Sequence, residues 1–299
     1  MTFSIVAIDP ETGEAGFAIA SCCWDAGQVC MAKPTGAIAS QANGNVQFLS
    51  IFFEKLDEGL SLEQIMEHLR TIDPDIQTRQ IGMVSPGKTF AFTGEKCSFW
   101  NGHRTGKNYS CQGNILVGPQ VIEAMARTFE SAEGQLFERL YAAMKAADAA
   151  GGDSRGRQSA RLMVAGKGAG AIDITIEDSE NPVAEMGRIL DVRRNLVQIF
   201  GYLGEFSKAE DADKLAILEK YRDFLDDKRE PRYLDWWETL ADSYYKIGER
   251  EKAIEIYRIY LAINPGMARI FRENAKAGNF PKDVARALDI KFNHSNNRD

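Results

Sequence analysis

The 299-residue sequence is poor in the residues that staple or metallate a small fold: it has five cysteines and three histidines. Cys22, Cys23, Cys30, Cys97 and Cys111 are odd in number and none stand as CxxC. With no histidine cluster beside them, this excludes a disulfide framework and a zinc site, and no metal or cofactor is expected. No apolar run approaches the roughly 18 residues that a membrane span needs. An excess of basic residues is also missing. The net charge is -7, which argues against a general nucleic-acid binder, because phosphate neutralisation demands clustered Lys and Arg. The start lacks a basic region followed by an apolar stretch and a small-residue cleavage site, so a cytoplasmic protein is expected. The glycine-rich run at 151–160 does not have the GxxxxGK[ST] spacing and no strand leads directly into it, which leaves nucleotide binding there without its usual phosphate loop. Hydrophobic residues at 44% and charged residues at 26% are ordinary for a globular chain.

What is present begins at the N-terminus. In residues 2–9, Phe3, Ile5 and Ala7 alternate with Ser4, Val6 and Ile8; Asp9-Pro10-Glu11-Thr12-Gly13 supplies a turn, and residues 16–21 return as a second strand. Both runs are apolar on both faces, which suits strands covered on both sides. Removal of Met1, which the small second residue permits, leaves Thr2 with a hydroxyl and a free α-amine on one residue. A Thr hydroxyl is a weak nucleophile at neutral pH and needs a base, a role open to an α-amine of pKa roughly 8. A small second residue is also the ordinary start of chains that do no chemistry there, so position alone leaves both readings open.

Further along, residues 36–41 read as a strand, and residues 46–58 and 61–70 as helices joined at Gly59, the second capped by Ser61 with Gln64. Residues 79–84 and 89–93 form a hairpin around Ser85-Pro86-Gly87. Residues 97–114, dense in glycine and aromatics, show too little periodicity for a regular element and read as a loop near a site. His103 within them is a candidate general base or simply a packed or exposed residue. Residues 121–150 read as a helix pair interrupted near Gly134. The sharpest local motif is Gly151-Gly-Asp-Ser-Arg-Gly-Arg-Gln-Ser-Ala160, ahead of strands at 161–165 and 171–176. Its glycines permit positive φ, while Asp153 and Arg155 stand ready to orient a polar ligand or each other. Glu177, Asp178, Glu180 and Glu185 read as a solvated face, because EF-hand spacing is missing.

Pro182 opens a helix, and from residue 211 onward the pattern is helical throughout. Trp237, Leu240, Ala241, Tyr244, Gly248, Ala253, Tyr257 and Pro265 fall at the spacing of a tetratricopeptide repeat. The Trp236, Trp237, Tyr244, Tyr245, Tyr257 and Tyr260 aromatics are expected in its core, with a surface suited to protein partners. The tail from Asn293 is expected to fray. From Phe206 onward there are 18 basic and 18 acidic residues against 18 and 25 before it, which suggests two domains, 1–205 and 206–299.

Thr2-Phe-Ser-Ile-Val-Ala7, Asp9-Pro-Glu-Thr-Gly13, Gly36-Ala37, Ser40-Gln41, Arg79-Gln80, Gly113-Asn114 and the 151–160 motif together resemble the bacterial family catalogued as domain of unknown function 1028. The resemblance covers about residues 2–195, and the chain departs from it at Cys22-Cys23-Trp24 and Ser85-Pro86. It implies an α+β fold, a four-layer αββα sandwich similar to the N-terminal nucleophile hydrolases, followed here by an all-α tetratricopeptide-like domain. It also implies amide hydrolysis by Thr2, with Asn114 at the oxyanion and Lys33 tuning the base. Ser21, Gln41, Arg79, His103, Asp153 and Arg155 complete the candidate substrate-binding set. The expected activity is that of an amidohydrolase acting on a small amide or peptide-like substrate, in a homo-oligomer. The alternative is a non-catalytic ligand-binding or scaffold protein that uses the helical domain for protein contacts.

Overall fold

In a computed structural model the chain divides into two compact units, residues 1–191 and 192–299. The structure describes residues 2–166 and 171–290. The tail from Asn293 and the state of Met1 lie outside them.

The first unit is built from antiparallel hairpins. β1 (Thr2–Asp9) and β2 (Glu14–Ser21) are followed by β3 (Cys30–Lys33), β4 (Gly36–Ala42), β5 (Arg79–Ser85) and β6 (Lys88–Thr93). Then come β7 (Asn101–Gly106), β8 (Tyr109–Asn114), β9 (Ser159–Ala165) and β10 (Ile172–Ile176). One sheet runs β10-β9-β2-β1-β8-β7 and the other β3-β4-β5-β6. The helices are α1 (Gln47–Asp57), α2 (Leu62–Ile72), α3 (Gln120–Ser131) and α4 (Leu136–Ala149), with α5 (Pro182–Lys208) leading on through the division between units. Ser61 and Gln64 cap α2 reciprocally, Oγ accepting the Gln64 N–H at 3.3 Å and Gln64 Oε1 the Ser61 N–H at 2.8 Å.

Because strand side chains alternate faces, each strand of the central hairpin serves two cores. Phe3, Ile5 and Ala7 pack with Ala18, Tyr109, Cys111 and Leu162 against Met125, Phe129, Leu140 and Met144 of α3 and α4. Val6, Ile8, Phe17 and Ile19 point the other way and meet Cys30, Ala32, Ala37, Ala39 and Val84 of the second sheet. On the far side of that sheet, Ile38, Ile81 and Met83 lie under Phe48, Phe52, Ile65 and Leu69 of α1 and α2. Helices, sheet, sheet and helices thus follow one another, and β1, covered on both faces, sits inside.

Residues 97–114 are not an irregular loop: most of them form the hairpin β7/β8. The pattern hid because β8 carries Tyr109 and Cys111 toward the helices but Ser110, Gln112 and Asn114 toward the other sheet: every one of these residues is buried, yet half are polar, so the run lacks the apolar residues on both faces that mark β1 and β2. The short strand β3 was also absent from the sequence reading.

The second unit continues from α5 through α6 (Asp211–Leu225), α7 (Leu234–Lys246), α8 (Arg250–Ile263), α9 (Met267–Ala277) and α10 (Lys282–Ala287). Trp237, Leu240, Ala241 and Tyr244 form one face of α7 and are buried with Ala253, Tyr257 and Tyr260 of α8. The Trp237 indole N–H donates to Lys228 O at 3.1 Å. Most of the aromatics are therefore core, while Trp236 is half-buried and Tyr245 exposed. Among the described residues, no helix is long and apolar enough to cross a membrane.

Candidate functional site

Between the sheets, apolar packing gives way to a polar end where β1 begins. Thr2 pairs with Asn114 of β8 across the strand, and Phe3 with Ala20 of β2. Thr2, Ser4, Ser21, Gln41, Gln80, Ser110, Gln112 and Asn114 are all buried there. A buried polar group costs free energy unless it is hydrogen-bonded, so the partners decide whether this cluster is a defect or a device.

The partners are specific. Gln80 Oε1 accepts from Gln41 Nε2 at 2.8 Å and from Asn114 Nδ2 at 3.1 Å. Those same two nitrogens reach the peptide oxygen of Thr2, at 3.2 and 3.4 Å. Ser4 Oγ donates to Gln41 Oε1 at 2.7 Å and accepts from Gln112 Nε2 at 2.6 Å, and Gln112 Oε1 accepts from Ser110 at 2.9 Å. Gly82 makes room for this: a Cβ there would come 2.1 Å from Gln112 Oε1. Gln80 Nε2 lies 2.8, 2.9 and 3.0 Å from Gly113 O, Thr93 Oγ1 and Gly102 O. The Thr93 hydroxyl meets His103 Nδ1 at 2.8 Å. Burial of part of its ring lowers the His103 pKa.

The Thr2 side chain faces Ser21: its hydroxyl donates to Ser21 Oγ at 3.3 Å, and the Cys23 thiol approaches the same oxygen at 3.3 Å. Just beyond Ser21, the glycine-rich loop closes over the strand ends. Asp153, with a side chain 1% exposed, accepts the Cys22 N–H and the Arg155 N–H, each at 2.9 Å, and pairs with the Arg155 guanidinium at 3.2 Å. Gly151, Gly152 and Gly156 take φ of +114°, +54° and +120°, which only glycine adopts without strain. The Val117 N–H donates to Gly152 O at 3.3 Å and the Ser154 hydroxyl to Ile115 O at 2.9 Å, so the loop ties the exit of β2 to the exit of β8. Asp153→Ala removes the acceptor of these N–H groups. It is expected to destabilise the protein by about 2–4 kcal/mol, read by thermal unfolding, and to slow any chemistry at Thr2.

Apart from Asn108 in the β7/β8 turn, the described non-glycine residues of the first unit with left-handed φ stand at the same end. Asp25, Ala42, Phe99 and Ile115 have φ of 45°, 70°, 56° and 51°. They stand in the loop after β2, at the end of β4, before β7 and after β8. Such residues cost about 1–3 kcal/mol each and persist where the surroundings over-determine them, most often around functional sites.

Of the residues singled out from sequence, Thr2, Ser21, Gln41 and Asn114 come together. Asp153 and Arg155 form the adjoining loop, and His103 stands beyond Gln80 and Thr93. Lys33 does not join them. It is exposed at the turn of the β3/β4 hairpin, pairs with Gly36 at the opposite end of β4 from Gln41, and places its ammonium 4.5 Å from the Phe53 ring on the outer face of its sheet. Arg79 also points away from Thr2. Its guanidinium donates to Asp73 Oδ2 at 3.0 Å and to Asn43 O, bracing the turn before β5. Burial works against ionisation of Asp73, but Arg79 and the Asp75 N–H outweigh it and hold the carboxyl below its usual range. Asn114 spends its amide on Thr2 O and Gln80 Oε1, so it holds the backbone of Thr2. Gln80, Ser4, Gln112 and Thr93 were not singled out as site residues; the available signal was glutamine at inward positions of otherwise apolar strands. Among the described residues, no three His, Cys, Asp or Glu side chains converge as a metal site.

Comparison with known proteins places this arrangement in company. A family model described as a family of unknown function, DUF1028, matches residues 2–186. The crystal structure of protein SPO2555 from Silicibacter pomeroyi, which carries the same family label, is similar with a TM-score of 0.59 and 29% identity. The match covers 64% of this chain and 84% of that one. No curated protein matches.

Proposed function

Because the chain belongs to the DUF1028 family, whose function is unknown, we propose from the site itself that it is an amidohydrolase of the N-terminal nucleophile type, with Thr2 as nucleophile once Met1 is removed. The observation that carries this reading is the placement of Thr2. It opens an interior strand, its hydroxyl lies between the sheets beside Ser21, and its peptide oxygen is held by the amides of Gln41 and Asn114. The succession of helices, sheet, sheet and helices supports the same reading, since it is the order of an αββα sandwich. The second unit is then a tetratricopeptide-like module for protein contacts, including self-association.

With Lys33 on the outer face, the base is the α-amine of Thr2. As Thr2 Oγ1 bonds to the substrate carbonyl carbon, its proton passes to that amine. The amine returns the proton to the leaving nitrogen as the C–N bond breaks, which leaves an ester on Thr2. Water, deprotonated by the same amine, then adds to the ester and releases the acid. Ser21 fixes the Thr2 side chain, and Gln41 and Asn114 fix its backbone, so attack starts from one geometry.

The rival scaffold reading draws on the burial of Thr2, which is 7% exposed. Intact mass of the protein purified from its own cells, before and after treatment with a β-lactone, separates the two. Loss of Met1 and a single adduct mapped to Thr2 is the expected result. Retained Met1 with no adduct returns the protein to the scaffold class.

A further inference from the structure

From Val192 onward α5 belongs to the second unit, and there it is apolar on two opposite faces. Ile199 is buried in the core of that unit, with Leu196, Tyr202, Leu203 and Phe206 packed beside it. On the other side Val197 is 61% exposed and Phe200 58%, and Gly201 and Gly204 continue the same stripe. At 3.6 residues per turn these four positions fall within about 100° of the helix circumference. The Phe200 ring meets the half-buried Trp236 of α7 edge-on at 5.4 Å between centroids, which joins the exposed surface of the two helices. A surface helix ordinarily turns polar side chains to water on this face, whereas one that is apolar all round is covered.

The glycines carry the argument further. Inside a helix glycine is destabilising relative to alanine, and it is kept where something approaches the backbone closely. Gly187, earlier in α5, has such a reason within the chain: a Cβ there would stand 2.0 Å from the Tyr141 hydroxyl oxygen. Gly201 and Gly204 have none, since among the described residues nothing lies within 4 Å of the place a Cβ would take. We infer that this stripe is the contact surface for a second copy of the chain, with the two α5 helices packed antiparallel. The pattern is self-complementary. With a two-fold axis between Phe200 and Gly201, Val197 of each copy lies over Gly204 of the other, the two Phe200 rings meet on one side of the axis and the two Gly201 backbones on the other. Along the edge of the stripe, Arg194 comes level with Glu205 of the partner copy, twice over, and the long cations Arg193 and Lys208 bound the contact. The inference gives a surface to the self-association proposed for the second unit and rests on that part of the reading, apart from the chemistry at Thr2. Two helices meeting over a few turns bury less than about 1,200 Å², the range of weak association, so a Kd on the order of 10 μM is expected.

The test is sedimentation velocity of the full-length protein across that range of concentration, where a reversible dimer is the expected result. Gly204→Gln should weaken it by about ten-fold or more, because the side chain fills the space that receives Val197. It should leave the thermal midpoint of the dilute protein equal or higher, since that space is open in the single chain and glutamine is the better helix former. Arg194→Glu and Glu205→Arg should each weaken the dimer by about five-fold, and the two together should restore it to within about two-fold. Ile270→Ser, at an exposed position of α9, should leave it unchanged. A parent protein that stays monomeric overturns the inference and the self-association reading together. A dimer that Gly204→Gln leaves intact overturns the inference alone and puts self-association on another surface. A charge exchange that fails to restore the dimer overturns the antiparallel pairing, and the inference with it. Labelling of Thr2 is a separate readout, so the hydrolase reading stands or falls independently of these outcomes.

Discussion

In Thr2→Ala protein, β-lactone labelling and any amide hydrolysis are expected to fall by at least about a thousand-fold, while stability stays within about 1 kcal/mol of the parent. The asymmetry follows from what the side chain does. Its hydroxyl makes a hydrogen bond of 3.3 Å to Ser21. The strand is held instead by its backbone pairing and by Phe3, Ile5 and Val6, none of which the substitution touches. Alanine is also small, so Met1 removal is preserved and the α-amine remains. Thr2→Ser keeps the nucleophile and should keep labelling. The readout is peptide mapping of the adduct alongside a thermal melt. Undiminished labelling in Thr2→Ala would locate the nucleophile elsewhere, with Ser21 and Cys23 next in reach of the same probe.

Gln80→Leu should have the largest effect on stability of any change at the polar end, about 3–6 kcal/mol, or roughly 10 °C in the thermal midpoint. Leucine nearly matches glutamine in volume, so the loss is of hydrogen bonds rather than packing. Gln41 Nε2 and Asn114 Nδ2 lose a common acceptor, and Thr93 Oγ1, Gly102 O and Gly113 O lose a donor. All of this happens at a residue with no solvent exposure, where water does not substitute for the missing partner. Labelling at Thr2 should drop as well, because the amides that hold its peptide oxygen are themselves held by Gln80. A destabilisation below about 1 kcal/mol would show that the cluster does not brace the site.

Much of the first unit was legible because its strands announce themselves. Phe3 to Ile8 and Phe17 to Ile19 are apolar on both faces, and a strand buried on both faces is what they form. The α2 cap was readable from Ser61 and Gln64 for the same reason: a local pair satisfies a local need. Thr2, Ser21, Gln41 and Asn114 met as a site because each ends or begins a strand at one edge of the two sheets. Lys33 misled, since its closeness to β4 in the chain says nothing of which face of the sheet its ammonium takes. The β7/β8 hairpin was missed for a reason that also explains Gln80. Both lie where the space between the sheets is polar, and hydropathy cannot distinguish a strand that turns glutamine inward from a loop that turns it to water.

The glutamines between the sheets also choose how the strands align. Sliding β5 by one residue along β4 would swing Gln80 to the outer face, among Phe48, Phe52 and Leu69, and turn Ile81 toward Ser4 and Asn114. An apolar interior tolerates many pairings of similar worth, but an amide that must find its acceptor tolerates one. The cluster that surrounds Thr2 thus acts as a key for assembly before it does anything else. Any slipped arrangement of the two sheets leaves it unsatisfied, and the chain reaches its site by the same contacts that reject the alternatives.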